Sequence, residues 1–327
     1  MAFVFDAIGD DFPASGKETE KQGDARMKVF VTGGRGFVGT ELVRHFLKKG
    51  FSVVATGSRE DASSALWDGY TYIAADTTKR GEWQSEVFDA DIVINLAGRS
   101  IFRYWTEKYK REIYNSRVLT TRNLISALPN GKRAILLSVS AVGIYGSRGD
   151  DMLSESEPYG DDFLARVCRD WEKEVEEFDG DNIRKIVLRS GIVLGSRGGA
   201  LSKMALPYKF LLGGPLGSGR QWFPWIHIKD YVRAVDFLLA RDSAKGAFNL
   251  CSPSPVQNRY FSARLAEVLK RPNFIRVPSF AIRLLLREFG ETLLGSQRAF
   301  PDRLLQMGFQ FRFPEIAQAL LNLRQNS

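Results

Sequence analysis

Residues 28–47 limit the fold of this chain more than any other stretch. Val29-Phe30-Val31-Thr32 is an apolar run of strand length. It breaks into Gly33-Gly34-Arg35-Gly36-Phe37-Val38-Gly39, after which Leu42, Val43, Phe46 and Leu47 recur at the spacing of an inward-facing helix face. A strand, a glycine turn and a helix in that order make a phosphate cradle. Glycine accepts positive φ and lets main chain touch a pyrophosphate, while the helix start offers N–H groups without intrahelical partners and a partial positive charge. The expected ligand is a dinucleotide.

The rest of the chain repeats the rhythm. Ser52–Thr56, Tyr70–Ala75 and Ala90–Leu96 read as further strands, and Thr106–Leu128 reads as a long helix stopped by Pro129-Asn130-Gly131. Arg133–Val139 is a fifth strand, Asp162–Phe178 a helix capped by Asp161 or Asp162, and Ile183–Ser190 a sixth strand. The pattern predicts an α/β fold, a doubly wound parallel sheet. From Gly191 glycines crowd around one helix, Leu201–Leu211. Tyr231–Ala240 returns to helix, Ala247–Leu250 to strand, and Phe261–Leu323 to three or four helices between prolines. The expected division is an extension at 1–26, a dinucleotide-binding domain at 27–190 and a smaller, mostly helical substrate part at 191–327, with 229–250 returning to the sheet.

Composition removes several function classes. Two cysteines (Cys168, Cys251) and two histidines (His45, His227) lack metal-ligand spacing, so no metal site and a reducing compartment are expected. The first 26 residues carry six acids against three bases, the wrong charge for a leader. No stretch approaches the roughly 18 apolar residues of a membrane span, so the cytoplasm is the expected location. The net charge of +8 suits an anionic ligand. Its basic residues are scattered, without the aromatic-interleaved stripe of a nucleic-acid binder. The expected partner is a small-molecule substrate, and the chain is expected to be a monomer or homodimer.

Taken with the glycine turn, Asn95-Leu96-Ala97-Gly98 and Ser138-Val139-Ser140-Ala141-Val142-Gly143-Ile144-Tyr145-Gly146 resemble the extended short-chain dehydrogenase/reductases of the NAD-dependent epimerase/dehydratase type. Asn115-Ser116-Arg117, Cys168-Arg169-Asp170-Trp171-Glu172 and the segment from Gly213 to Trp222 are similar to an atypical subgroup, the epimerase family proteins. The resemblance spans about residues 27–323. It implies a nicotinamide dinucleotide on Gly33, Gly34, Arg35, Gly36, Phe37, Val38 and Gly39, with Asp76 near the adenine and Leu96, Ala97 and Gly98 beside the pyrophosphate or ribose. At the end of the second strand an acid would suit NAD and an arginine NADP. Ser58 and Arg59 stand there, with Asp61 two residues on, so NADP(H) is expected over NAD(H), with Arg35 as a second phosphate partner.

The family's proton chemistry uses a tyrosine and a lysine four residues later, the lysine lowering the tyrosine pKa from its usual value of about 10. The motif falls on Tyr159-Gly160-Asp161-Asp162-Phe163, with phenylalanine in the lysine position. Two readings follow. In one, Tyr159 with Ser140 (or Ser138) still moves the proton in an oxidoreductase or epimerase. In the other, Tyr159 only opens a helix and the chain holds NADP(H) without rapid turnover. Arg220, Gln221, Trp222 and His227 are candidate pocket residues, with a structural hydrogen bond, in a strand before a helix capped by Asp230, as the competing reading of His227. Lys110 and Arg117 read as surface or interhelix charges, with the family pattern at Ser116-Arg117 leaving a packing role open, and Cys168 reads as packing or as part of the pocket lining.

Overall fold

In a computed structural model, residues 26–59, 67–129 and 131–325 are described. The acidic extension, Asp61 and Asn130 therefore lie outside the described residues. The Rossmann half comprises β1 (Lys28–Thr32), α1 (Phe37–Lys48), β2 (Ser52–Gly57), β3 (Tyr70–Ala74), α2 (Trp83–Phe88), β4 (Ile92–Asn95), α3 (Glu107–Ile125) and β5 (Ala134–Ala141). A 3₁₀ turn at Val142–Tyr145 leads to β6 (Met152–Leu153), α4 (Phe163–Glu176), β7 (Ile183–Ser190), β8 (Ile192–Gly195), β9 (Gly198–Gly199) and α5 (Ala200–Lys209). Then come β10 (Trp222–Phe223), β11 (Trp225–His227), α6 (Ile228–Leu239), β12 (Gly246–Leu250), β13 (Val256–Gln257) and α7 (Asn258–Leu269). The chain closes with α8 (Ser279–Leu294), β14 (Arg298–Ala299), α9 (Asp302–Gln306) and α10 (Ile316–Gln325).

Among the described residues the main sheet runs β12-β7-β5-β4-β1-β2-β3, every pairing parallel. Alternation along β1 loads both faces. Val29 and Val31 join Leu42 and Phe46 of α1 and Val235 of α6 on one side, while Phe30 meets Trp83, Leu124 and Val175 on the other. The strand order reverses between β1 and β4, which opens a crevice at the carboxyl ends of those two strands.

Most elements fall where the sequence puts them. Helix α2 was not expected. It is a single apolar-edged turn and a half, too short to show a period, and is fixed by tertiary packing of Trp83 and Val87. Asp162, rather than Asp161, caps α4, its carboxylate accepting from Ala165 N at 2.9 Å. The glycine-rich 195–199 hairpin has a steric cause: a Cβ at Gly195 or Gly199 would lie 2.4 or 2.8 Å from the Phe37 ring. The glycines admit the first residue of α1.

Candidate active site

The glycine turn is tight in a way only glycine satisfies. Gly33 has φ +67° and lies against Leu96 O and Ala97, and a Cβ on Gly39 would stand 2.3 Å from Gly33 O. Gly36 N donates to Gly33 O at 2.8 Å, and Gly36 caps α1 without any side-chain bond, so the first N–H groups of the helix face the crevice. The facing wall is held by a buried relay not foreseen from the sequence. Thr32 Oγ1 donates to Asn95 Oδ1 at 2.7 Å and accepts from Leu96 N and Ala97 N at 3.1 Å, while Asn95 Nδ2 donates to Thr121 Oγ1 at 2.7 Å. These residues fit a dinucleotide: the space beside the turn exists because glycines leave it, and the wall is fixed before any ligand arrives.

At the end of β2, Gly57 leaves room for Tyr72, whose hydroxyl donates to Arg59 O at 2.7 Å; a Cβ there would meet that oxygen at 2.7 Å. Arg35 stands over the Tyr72 ring at 5.7 Å, so Arg35 and the Arg59 main chain meet the same tyrosine, with Ser58 and Arg59 exposed. Asp76, exposed beyond β3, accepts from Thr78 N and Oγ1 in a local turn.

The residues expected to carry proton transfer are placed as follows by the fold. Helix α4 begins at Phe163, so Tyr159 precedes the helix, and the tyrosine-plus-four relation does not place it and Phe163 on one helical face. Phe163 instead packs edge-on to Trp105 at 5.3 Å, with Lys110 Nζ 5.0 Å over its ring. Lys110 is itself tied to Glu288 of α8 at 2.8 Å. The Tyr159 hydroxyl accepts from Arg189 Nη2 at 3.2 Å. Ser140 is buried beside the Cys168 thiol, and its hydroxyl has no well-formed partner among the described residues. The helix residue that faces Ser140 is therefore Cys168, and Leu164, four residues before it, sits against Gly143. Burial pushes the Cys168 thiol up to about 12, Glu172 adding to the effect, so it is no nucleophile at neutral pH.

Arg189 anchors a buried network: Glu172 at 2.8 to 3.2 Å in a two-pronged pair, Tyr145 Oη at 3.0 Å and the Glu155 carbonyl at 3.0 Å. Burial by itself would depress its pKa; the Glu172 hydrogen bonds and charge overcome that and raise it.

The proposed pocket residues separate. Arg220 is exposed. Gln221 is buried and spends its amide on Leu216 O at 3.1 Å. Trp222 Nε1 donates to Asp150 at 2.7 Å under the Arg298 guanidinium. His227 is fully buried, caps α6 by accepting from Lys229 N at 3.0 Å, and stacks on Phe313 at 4.1 Å. Among the described residues no group of three acid, cysteine or histidine side chains is arranged to hold a metal, and no helix is long and apolar enough to cross a membrane.

Comparison with known proteins matches residues 29–251 to the NAD dependent epimerase/dehydratase family and residues 277–323 to a domain of unknown function. The chain is 38% identical over 298 residues to "Epimerase family protein SSP1921" of Staphylococcus saprophyticus, covering 90% of this chain and 98% of that one. It is 33% identical over 308 residues to "Epimerase family protein SDR39U1 homolog, chloroplastic" of Arabidopsis thaliana, covering 93% and 88%. Among solved structures, the human epimerase family protein SDR39U1 (isoform 2) with NADPH superposes with a TM-score of 0.81 at 32% identity, covering 92% of this chain and all of that one. With its fold, its crevice and these relatives in agreement, the chain belongs to the NAD-dependent epimerase/dehydratase family.

Proposed function

We propose that this protein is an NADP(H)-dependent oxidoreductase or epimerase-like enzyme acting on a small carbonyl or hydroxyl compound. The observation that carries the cofactor choice is Tyr72 at the end of β2, with Arg35 over its ring and its hydroxyl on the Arg59 carbonyl, beside exposed Ser58; an adenosine 2′-phosphate there would be within reach of two arginine side chains. The related human structure with NADPH supports the same choice. Gly33, Gly34, Gly36, Phe37, Val38 and Gly39 would hold the pyrophosphate, with Leu96, Ala97 and Gly98 along the opposite wall and Asp76 toward the adenine. A bound nicotinamide supplies hydride exchange. Tyr159, half-exposed and oriented by Arg189, is the residue offered for the accompanying proton. Ser140, buried beside the Cys168 thiol, is the second residue offered for the proton transfer.

A second reading, NADP(H) held without rapid turnover, is favoured by Leu164 and Cys168 standing on the helix face toward β5 where a proton-moving pair would work. The two separate when purified protein and NADPH are mixed with a panel of quinones, simple carbonyls and nucleotide sugars. NADPH oxidation that is lost in Tyr159→Phe supports the enzyme. Firm NADPH binding with no oxidation across the panel supports the holding protein.

A further inference from the structure

Arg117, read from sequence as a surface or interhelix charge with a packing role left open, lies under the crevice wall. A Cβ on Gly98 would stand 3.1 Å from its guanidinium carbon, and the guanidinium rests 5.4 Å over the Trp171 ring of α4. Its bonds go to neutral oxygens alone: Nη1 to Ile113 O at 3.1 Å and, at 3.5 Å, to Ser116 Oγ, and Nη2 to Arg99 O at 3.1 Å. Among the described residues no carboxylate pairs with it. Burial draws its pKa down, and the groups that offset this weakly are the Cys168 thiol and the Tyr109 hydroxyl. A guanidinium carries five N–H donors, so part of the fork has no acceptor.

Arg117 is partly buried, and a cation held partly out of water without a counter-charge is stabilised when an anion joins it. Arg117 has that position on the cofactor side of the molecule. It adjoins Gly98, and it neighbours Cys168, the α4 residue that faces Ser140. We propose that Arg117 is a cofactor-binding residue, supplying from α3 the positive charge that α4 lacks and taking an oxygen of the pyrophosphate–nicotinamide-ribose half of the dinucleotide beneath Gly98. The inference rests on the dinucleotide reading of the crevice. It adds a cation on the reacting half of the ligand, remote in sequence from Arg35 and Arg59 on the adenosine half. Arginine fits the task because its planar fork can hold the Ile113 and Arg99 carbonyls while presenting its remaining donors to phosphate or hydroxyl oxygens.

The test compares two ligands by equilibrium titration of wild type, Arg117→Met and Arg117→Lys. NADPH carries both halves; adenosine 2′,5′-bisphosphate carries only the adenosine side. Arg117→Met is expected to weaken NADPH about tenfold or more, the size of a lost charge-assisted hydrogen bond, while binding of the bisphosphate stays within twofold. Arg117→Lys is expected to fall between. Equal weakening of both ligands would show a packing role for Arg117 and overturn the proposal, as would unchanged NADPH affinity. If Arg117→Met does not fold, the same ratio is read from Arg117→Lys, where an unchanged ratio of the two affinities overturns it. Failure of wild type to bind the bisphosphate strikes the NADP(H) reading itself, which keeps the two failures apart.

Discussion

Two arginines pack against adjacent residues of α4, Arg189 fully buried on Glu172 and Arg117 partly buried on Trp171, and they are settled in opposite ways. Arg189 on β7 is 3% exposed and meets Glu172 in a two-pronged ion pair, with Tyr145 and Tyr159 completing its fork. Arg117 on α3 meets carbonyls, a hydroxyl, an indole face and a raised-pKa thiol. The first network is closed within the fold, whereas the second leaves charge uncompensated at the edge of the crevice. A closed charge network holds structure together; an open one beside a ligand cleft is suited to complete itself with the ligand.

The sharpest way to break this contrast is to remove the closed network's acid. Glu172→Ala leaves Arg189 buried and unpaired and is expected to cost about 3–5 kcal/mol in denaturant unfolding. Arg117→Met, removing an uncompensated cation and replacing its stem with apolar volume, is expected to change apoprotein stability by less than about 1 kcal/mol. Similar costs for the two variants would erase the distinction.

His227 shows a third solution, open to imidazole and closed to guanidinium: it sheds its proton. Burial lowers its pKa to about 4 from the usual 6.5; Asp230 opposes the shift, and Lys229 and Arg312 favour it. Because the folded value lies below the unfolded one, the unfolded chain binds the extra proton first. Stability is then full above about pH 6.5 and falls as pH drops toward 4, by up to about 3 kcal/mol. His227→Asn keeps a side-chain acceptor for α6, an oxygen in place of Nδ1, without titrating, and its stability curve should be flatter between pH 4 and 6.5. An identical slope in both proteins would place the acid sensitivity elsewhere.

At the outer arginines the expected effect is on ligand alone. Arg59→Ala should weaken NADPH about tenfold, roughly one charge-assisted hydrogen bond, and leave NADH unchanged. A matching loss for NADH would remove Arg59 from 2′-phosphate recognition. The smallest change is Tyr159→Phe, which deletes one of several Arg189 contacts and should cost about 1 kcal/mol of stability. A loss beyond about 3 kcal/mol would show that the closed network depends on Tyr159.

The sheet and the glycine turn were legible because strand alternation, helix period and turn glycines are local signals. The site's charges were not. Arg117 and Lys110 occupy the same long helix and look alike in sequence. Lys110 reaches Glu288, while Arg117 goes inward because α3 packs on α4 at Trp171. Arg189 and Glu172 are separated by a helix end and a turn, and no pattern announces their pairing. The spacing of Tyr159 and Phe163 did not show where the helix starts: four residues make a helical pair only inside a helix, and Asp162 starts α4 after the tyrosine. Gln221 and His227 carry polar side chains that the fold turns inward for its own bonds.

The most direct measurement is a pair of fluorescence titrations of the purified protein with NADPH and NADH under one set of conditions. NADPH is expected to bind at least about tenfold more tightly, as two guanidinium groups at a 2′-phosphate require. Equal affinity, or preference for NADH, would contradict the assignment of Arg35 and Arg59, and absence of binding to either would contradict the dinucleotide reading of the crevice.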